Sequence, residues 1–374
     1  AGAAGTAIPD LTQGVRRYLA ESSTYRPPGL AYLGKTHPKV LIIGSGAGRE
    51  VLEALAFGAS EITAVEINPL INEIVTKDMP DAWGGLFEQP EVTLVTEDAR
   101  SYVRRSSERY DAIIAIHTMS DAALASGAAS FGETYILTRE AFEDYWDHLT
   151  PDGRMLITRP TYQLPKLFAT IRELFDSRQL GSPTANLFAF RGIAAPFGHS
   201  RLLSGLLVQK SALDPGVIDT LTVRLGVGND PSSGEAGAEI FYAPHRQPQD
   251  SFQATLSALA SGPALAPIIA GSAELLEPAT DDRPFFNRRT RWADLSPWLF
   301  KSVLSAGDRG SIEALPVAEV ALLMLFAQAV IAAVQKGLAD ERNQSALGEW
   351  ILALGLLRDA SSPPRFEALY RDGD

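Results

Sequence analysis

Residues 40–51, VLIIGSGAGREV, decide the fold of this 374-residue chain. Four apolar residues lead into glycines at positions 44, 46 and 48, and a segment with helical spacing of apolar residues begins at Arg49. Short apolar runs that end in glycine are typical of buried parallel strands, and glycine lets the backbone turn tightly and pass close to a ligand. The stretch therefore predicts a strand, a ligand-binding turn and a helix in immediate succession.

Strands and helices continue to alternate downstream of this stretch. We predict further strands at 61–67, 91–97, 111–116 and 154–159, with helices between them and a closing strand pair at 187–191 and 201–209. Alternating units of this kind imply a doubly wound, mostly parallel sheet with helices on both faces. The sequence therefore predicts a Rossmann-like α/β domain over residues 38–210, preceded by a loop-rich segment 1–37 and followed by a mainly helical region 211–374.

Two acidic residues follow the second and third predicted strands. Glu66 lies about 20 residues after the glycine loop, where a carboxylate accepts hydrogen bonds from both ribose hydroxyls. Asp98 lies where it can accept a hydrogen bond from an adenine amino group, and an N-cap for the next helix is compatible with that role. Because the carboxyl ends of parallel strands meet at one crevice, the loop and the two acids predict a nucleoside site.

The glycine spacing favours one class of nucleoside. A dinucleotide fingerprint has its third glycine one position later, where this chain has Arg49. The G-x-G-x-G spacing found here is usual for loops that bind S-adenosylmethionine, because any Cβ would obstruct the nucleoside and its amino-acid tail. The predicted cofactor-binding residues are Gly44, Ser45, Gly46, Gly48, Arg49, Glu66, Ile67, Asp98 and Ala99. No metal site is predicted.

Several stretches carry a family resemblance. They are GSGAGREVLEAL (44–55), GASEITAVEINP (58–69), TEDAR (96–100), RYDAII (109–114) and FEDYWDHLTPDGRMLIT (142–158). From about residue 38 to 160 the chain resembles the spermidine synthase group of the class I methyltransferase superfamily. FYAP (241–244) and TDDRPFF (280–286) are similar to segments of bacterial spermidine-synthase-like proteins that are often fused to membrane helices. The resemblance implies transfer of an aminopropyl-type group from decarboxylated S-adenosylmethionine to a small amine.

The chain departs from the pattern of this family where the chemistry takes place. The resemblance implies an aspartate inside the glycine loop and an acid at the end of the fourth strand, but this chain has Ala47 in the loop and no acid in that register. His117 and Asp121 are therefore the candidate catalytic bases, with a hydrogen-bonded strand end and a loop cap as their structural alternatives. Arg49 is placed to pair with the α-carboxylate of intact S-adenosylmethionine, and a surface arginine is the alternative.

The segment between Met119 and Tyr135, SDAALASGAASFGET, consists mostly of small residues. We predict that it is a mobile lid over the acceptor site, with Glu133 and Tyr135 as candidate acceptor contacts. Asp281 and Asp282 in TDDRPFF are candidate acidic site residues, and the alternative is that they fix a chain reversal against the core.

Composition limits the remaining classes of function. The net charge of −12 argues against a general nucleic-acid binder, and the absence of cysteine excludes disulfides and thiolate chemistry. Residues 314–334 are apolar apart from Glu319 and Gln328, which predicts a buried or oligomer-forming helix, with a membrane segment as the alternative. We expect a cytoplasmic protein, located at the inner face of the membrane if that segment inserts.

Three functions are compatible with the sequence. The first is a spermidine synthase-like transferase that moves an alkyl group of the aminopropyl type to a small amine acceptor. The second is a methyltransferase or another enzyme that acts on intact S-adenosylmethionine, which Ala47 and Arg49 favour. The third is a nucleoside-binding module without catalytic activity. The fold is shared by all three, so the site must decide between them.

Overall fold

Eight strands form one sheet in the computed structural model, which describes residues 11–21, 27–116, 134–191, 203–225, 239–262, 264–272 and 274–288. The strands are β1 (Lys39–Ile43), β2 (Glu61–Glu66), β3 (Val92–Thr96), β4 (Tyr110–Ile116), β5 (Leu149–Pro160), β6 (Leu187–Arg191), β7 (Leu203–Gln209) and β8 (Glu239–Tyr242). Their order across the sheet is β3-β2-β1-β4-β5-β7-β6-β8. The first five pair in parallel, and β7, β6 and β8 continue the sheet in antiparallel pairs. The predicted doubly wound, mostly parallel fold and the closing strand pair are confirmed.

Helices cover both faces of this sheet. They are α1 (Val15–Glu21), α2 (Arg49–Ala56), α3 (Pro69–Glu73), α4 (Ala99–Arg105), α5 (Arg139–Asp147), α6 (Leu164–Ser177), α7 (Pro215–Leu225), α8 (Ser251–Ser261) and α9 (Leu265–Gly271). One face packs against α5, α6 and α8 through buried side chains that include Phe142, Leu167 and Leu256. The other face packs against α2 and the 3-10 turn Pro27–Tyr32, where Val51 and Leu30 are fully buried. Each such side chain stabilises the fold by about 1.5–3 kcal/mol.

The helix after β2 is shorter than its sequence pattern suggests. Asn68 caps α3 by accepting a hydrogen bond from the backbone N–H of Leu70, and Pro69 occupies the first helical position. After Glu73 the backbone changes to a single π-helical turn, Ile74–Asp78, followed by 3-10 turns at Pro80–Trp83 and Leu86–Glu88. Turns of this kind within a helix are rare and occur frequently at functional sites. Here they bring residues 83–87 against the glycine loop.

The sheet extends past the predicted domain boundary at residue 210. β8 pairs with β6, and α8 packs on the same core as the earlier helices. The chain divides into two compact units, residues 1–316 and 317–374. The predicted segment boundaries at 37 and 210 stay predictions. The sheet itself continues past residue 210, because β8 is part of it.

Within the described ranges, the structure contains no helix that is both long enough and apolar enough to cross a membrane. The apolar segment 314–334 lies outside those ranges.

Candidate active site

The glycine loop opens at the point where the order of strands reverses. β1 lies between β2 and β4, and Ile43 at its end pairs with Val65 on one side and Ala115 on the other. The backbone N–H groups of Gly44 and Ser45 both donate to the Val65 carbonyl oxygen, at 2.8 and 3.0 Å. Ligands of open α/β sheets bind in the crevice at such a switch point, outside the carboxyl ends of the strands. The loop is therefore held in the expected binding crevice.

Three glycines in this loop have left-handed backbone conformations. The φ angles are 71° at Gly44, 50° at Gly46 and 91° at Gly48, a region that side chains with a Cβ rarely adopt. Gly48 also lacks space for a side chain, since a Cβ there would lie 2.6 Å from Phe87 Cζ and 2.8 Å from Leu86 Cδ2. Glycine at these positions is therefore required by the turn itself.

Glu66 connects the glycine loop to the end of β2. One oxygen of its carboxylate accepts a hydrogen bond from the backbone N–H of Gly46 at 3.0 Å, and the other accepts from that of Asn68 at 2.9 Å. The residue is only 7% exposed. Each carboxylate oxygen has two lone pairs, so each retains one acceptor position for a ribose hydroxyl. The structure thus brings the loop and the predicted ribose acid together.

Asp98 lies one strand further along the same edge of the sheet. Its Oδ1 accepts a hydrogen bond from the backbone N–H of Ser101 at 2.9 Å, so it is the N-cap of α4. This cap uses one of two carboxylate oxygens, which leaves the proposed adenine contact compatible with it. Ala99 follows as the first residue of α4, and Ile67, beside Glu66, is 66% exposed. Ile67 therefore presents apolar surface at this edge, and its contact with a purine stays a prediction.

Unpaired polar atoms at this edge provide a test of whether a polar ligand fits. In the part of the chain that the structure describes, Ser45 Oγ, Asn72 Oδ1 and Thr158 Oγ1 are buried without a hydrogen-bond partner. Ser45 follows β1, Asn72 donates to Thr96 at the end of β3, and Thr158 pairs with Ile116 at the end of β4. Buried polar groups are normally hydrogen-bonded. Unused hydrogen-bonding capacity near the carboxyl ends of these strands is compatible with a hydroxyl-rich ligand.

A tryptophan supports the glycine loop from outside the predicted site. Trp83 Nε1 donates a 2.7 Å hydrogen bond to the carbonyl oxygen of Ala47. The backbone carbonyl of the next residue, Gly84, accepts from the N–H of Val15 at 3.3 Å, so α1 is connected to the same support. Sequence reasoning missed Trp83, because the pattern of α3 gave no sign that the chain returns to the loop.

The acceptor side is only partly covered by the described residues. His117, Asp121 and Glu133 lie outside them, so their roles stay predictions. Tyr135 is 43% exposed, and its carbonyl oxygen accepts a hydrogen bond from Arg100.

The predicted chain reversal in TDDRPFF is present. Thr280 and Arg283 form an isolated antiparallel bridge, and Asp282 is exposed in the turn between them. Asp281 is paired with Arg100 and Arg104, so its carboxylate is engaged in ion pairs within the fold.

A buried polar cluster lies beyond the ends of β4 and β5, and sequence reasoning missed it. Arg159 donates to Gln163 Oε1 at 2.8 Å and to Asn287 Oδ1 at 2.7 Å. Lys166 donates to the carbonyl oxygens of Phe285 and Arg288 at 3.2 and 3.0 Å. Burial lowers the pKa of Arg159 to about 10 and that of Lys166 to about 7. The signal that could have found the cluster is a charged residue at the end of an apolar strand, in RMLITR.

The cluster leads to a prediction about stability and pH. The pKa of Lys166 is about 7 in the folded chain against an ordinary value of 10.5, so between these values only the unfolded chain holds the proton. The free energy of unfolding should therefore rise with pH across this window by up to about 1.4 kcal/mol per pH unit, whereas below pH 7 the full cost of burying the charge is present. Denaturant unfolding between pH 7.5 and 9 should show a steeper rise in the free energy of unfolding for the natural chain than for Lys166→Met.

The matched control, Lys77→Met on an exposed lysine, should keep the slope of the natural chain. Equal slopes for all three chains would contradict the assignment.

Comparison with known proteins shows which family this part of the chain resembles. Residues 29–166 match the model of the spermine/spermidine synthase domain. This part of the chain is similar to that domain. The matched range includes the glycine loop, Glu66, Asp98 and β5, and the described residues from 167 to 288 lie outside it.

Curated relatives and a solved structure are also similar to parts of this chain. A polyamine aminopropyltransferase of Korarchaeum cryptofilum is 34% identical over 137 residues, which are 37% of this chain and 41% of that protein. One of Corynebacterium efficiens is 37% identical over 105 residues, 27% of this chain and 19% of that protein. The chain thus spans less than half the length of either relative. A probable spermidine synthase from Corynebacterium glutamicum aligns over 64% of this chain and 79% of its own, with 14% identity and a TM-score of 0.43.

Proposed function

We propose that this chain transfers an aminopropyl group from decarboxylated S-adenosylmethionine to a small amine. The observation that carries the proposal is the Glu66 carboxylate, buried at the switch point and bonded to the glycine loop, inside a domain that matches the spermine/spermidine synthase model. The names of the relatives, polyamine aminopropyltransferases, support the aminopropyl group and a polyamine-type acceptor. Decarboxylated S-adenosylmethionine is accordingly the donor we assign to the crevice.

The proposed reaction is a displacement at carbon. The neutral nitrogen of the acceptor attacks the carbon of the aminopropyl chain that is bonded to the sulfonium sulfur. A carbon–nitrogen bond forms, and the bond between that carbon and sulfur breaks. The electron pair of that bond passes to sulfur and leaves methylthioadenosine, while the nitrogen loses its proton to a base. Glu66, Asp98 and the glycine loop hold the nucleoside so that the reacting carbon faces the acceptor. His117 or Asp121 takes the proton, and an imidazole has a suitable pKa near neutrality.

An assay of the purified chain tests this function. Decarboxylated S-adenosylmethionine is mixed with a diamine such as putrescine, and both methylthioadenosine and the aminopropylated amine are measured. We expect the two products in equal amounts, and loss of turnover in either His117→Ala or Asp121→Ala identifies the base. Nucleoside binding without either product would instead favour a binding module and would refute the proposed transfer.

One observation favours a second candidate, methyl transfer from intact S-adenosylmethionine. Ala47 leaves the loop without an acid for the amino group of the donor's tail, and Arg49 is the first residue of α2, directly after Gly48. An arginine there suits the α-carboxylate that only the intact cofactor carries. The same assay run with each cofactor discriminates between the two, since methyl transfer from the intact cofactor yields S-adenosylhomocysteine and aminopropyl transfer from the decarboxylated cofactor yields methylthioadenosine.

Membrane association and a homo-oligomer both depend on residues 314–334 in our interpretation, and both stay proposals. Sedimentation of the chain with and without phospholipid vesicles separates them. Co-sedimentation with vesicles indicates insertion, and a larger sedimentation coefficient without lipid indicates an oligomer.

A further inference from the structure

A salt bridge between residues 181 positions apart connects TDDRPFF to the cofactor side of the sheet. Asp281 Oδ1 and Oδ2 accept hydrogen bonds from Nη1 and Nη2 of Arg100, both at 3.0 Å. Two parallel bonds of this kind fix orientation as well as distance. Asp281 also accepts a 2.7 Å hydrogen bond from the hydroxyl of Thr138 and a 3.0 Å bond from Arg104.

Arg100 lies in the first turn of α4, two residues after Asp98. It is 5% exposed, and its other partners are Asp144 at 2.6 Å, the carbonyl oxygen of Tyr135 at 2.9 Å and the hydroxyl of Thr138 at 3.0 Å. A buried cation must be neutralised and hydrogen-bonded, since an unpaired one is strongly destabilising. Asp281 and Asp144 supply the negative charges, which Arg104 shares by donating to both carboxylates. Asp281 is thus one of the two carboxylates that hold this turn through Arg100.

We infer that Asp281 is a positioning residue for the adenine end of the nucleoside site, acting through Arg100 on the turn that carries Asp98. The inference rests on the proposed function, because it takes Asp98 as the acceptor for the adenine amino group. Asp281 lies outside the matched domain, which ends at residue 166. A later part of the chain thereby completes the cofactor site.

The buried hydroxyl of Tyr145 interacts electrostatically with Arg100 and with the carboxylates discussed above. Burial raises the pKa of the Tyr145 hydroxyl, Arg100 opposes the rise, and the carboxylates of Asp144, Asp98 and Asp281 add to it. Asp98 and Asp281 therefore both act on the same hydroxyl as Arg100 does. The hydrogen bonds from Arg100 and Thr138 outweigh the burial of Asp281 and lower its pKa, so it stays ionised at neutral pH.

The test compares two neighbouring aspartates and two nucleosides. Asp281→Asn removes the charge that pairs with Arg100, and Asp282→Asn makes the same change at the exposed position beside it. Calorimetry measures the Kd of methylthioadenosine and of the same nucleoside with hydrogen in place of the 6-amino group. A hydrogen bond to a charged group predicts that the natural chain prefers the amino form by roughly tenfold or more. We expect this preference to fall at least threefold in Asp281→Asn and to be unchanged in Asp282→Asn.

The ratio of the two affinities separates positioning from a loss of stability, because a less stable chain weakens both nucleosides equally. An unchanged ratio in Asp281→Asn overturns the inference. If that variant does not fold, Arg104→Met removes one contact to Asp281 and one to Asp144 from an exposed side chain, and it should lower the ratio by a smaller factor. An unchanged ratio there also overturns the inference. Failure of the natural chain to bind methylthioadenosine at all would refute the proposed function itself, which is a different result.

Discussion

Replacing Glu66 by alanine is expected to weaken the binding of methylthioadenosine by about a hundredfold while the chain still folds. The carboxylate is 7% exposed, and each oxygen retains an acceptor position beside the bond it receives from Gly46 or Asn68. Hydrogen bonds to a charged group contribute about 1.5–3 kcal/mol each, so the loss of two ribose contacts corresponds to at least two orders of magnitude in Kd. Calorimetric titration measures the change directly.

The control for this variant lies on the same strand. Glu61→Ala makes the same substitution at the opposite end of β2, on a side chain that is 64% exposed. Its Kd should equal that of the natural chain. If Glu66→Ala binds the nucleoside within threefold of the natural chain, Glu66 does not hold the ribose.

Gly48→Ala should destabilise the folded chain by about 2–4 kcal/mol. The backbone at Gly48 has a φ of 91°, and the left-handed conformation costs an alanine about 1 kcal/mol. The added Cβ would lie 2.6 Å from Phe87 and 2.8 Å from Leu86, and overpacking of this kind costs about 1–3 kcal/mol more. Denaturant unfolding gives the free energy. We also expect weaker nucleoside binding, because the Gly48 N–H closes the loop by donating to the Ser45 carbonyl at 2.9 Å.

The variant Gly58→Ala separates the conformational cost of an alanine from the cost of overpacking. Gly58 has a φ of 74°, and no atom lies within 4 Å of a Cβ built there. This variant should lose only about 1 kcal/mol, the conformational part. Equal losses for the two variants would show that Phe87 and Leu86 move away freely and that the loop is not tightly supported.

The sequence predicts the sheet and the contact between the glycine loop and Glu66 well, because both depend on local patterns. Apolar runs that end in glycine or acid set the strands, and the carboxyl ends of parallel strands must meet. This is why the glycine loop and Glu66 are found in contact. Asp98 shows that two roles proposed for one residue are compatible, since its cap uses a single oxygen.

The supporting contacts depend on chain paths that no local pattern encodes. Trp83 reaches Ala47 because a π-helical turn ends α3 early. Asp281 reaches Arg100 across 181 positions, and a charged residue that pairs over such a distance has the same local signature as one that faces solvent. The candidate bases His117 and Asp121 follow from strand register alone, so their assignment stays a prediction that the product assay must test.

Calorimetric titration of the purified chain with decarboxylated S-adenosylmethionine, and separately with the intact cofactor, tests the central claim most directly. We predict one binding site per chain and tighter binding of the decarboxylated form. Tighter binding of the intact form would transfer the assignment to methyl transfer, with Arg49 as the carboxylate partner. Absence of binding by both forms would contradict the nucleoside site itself.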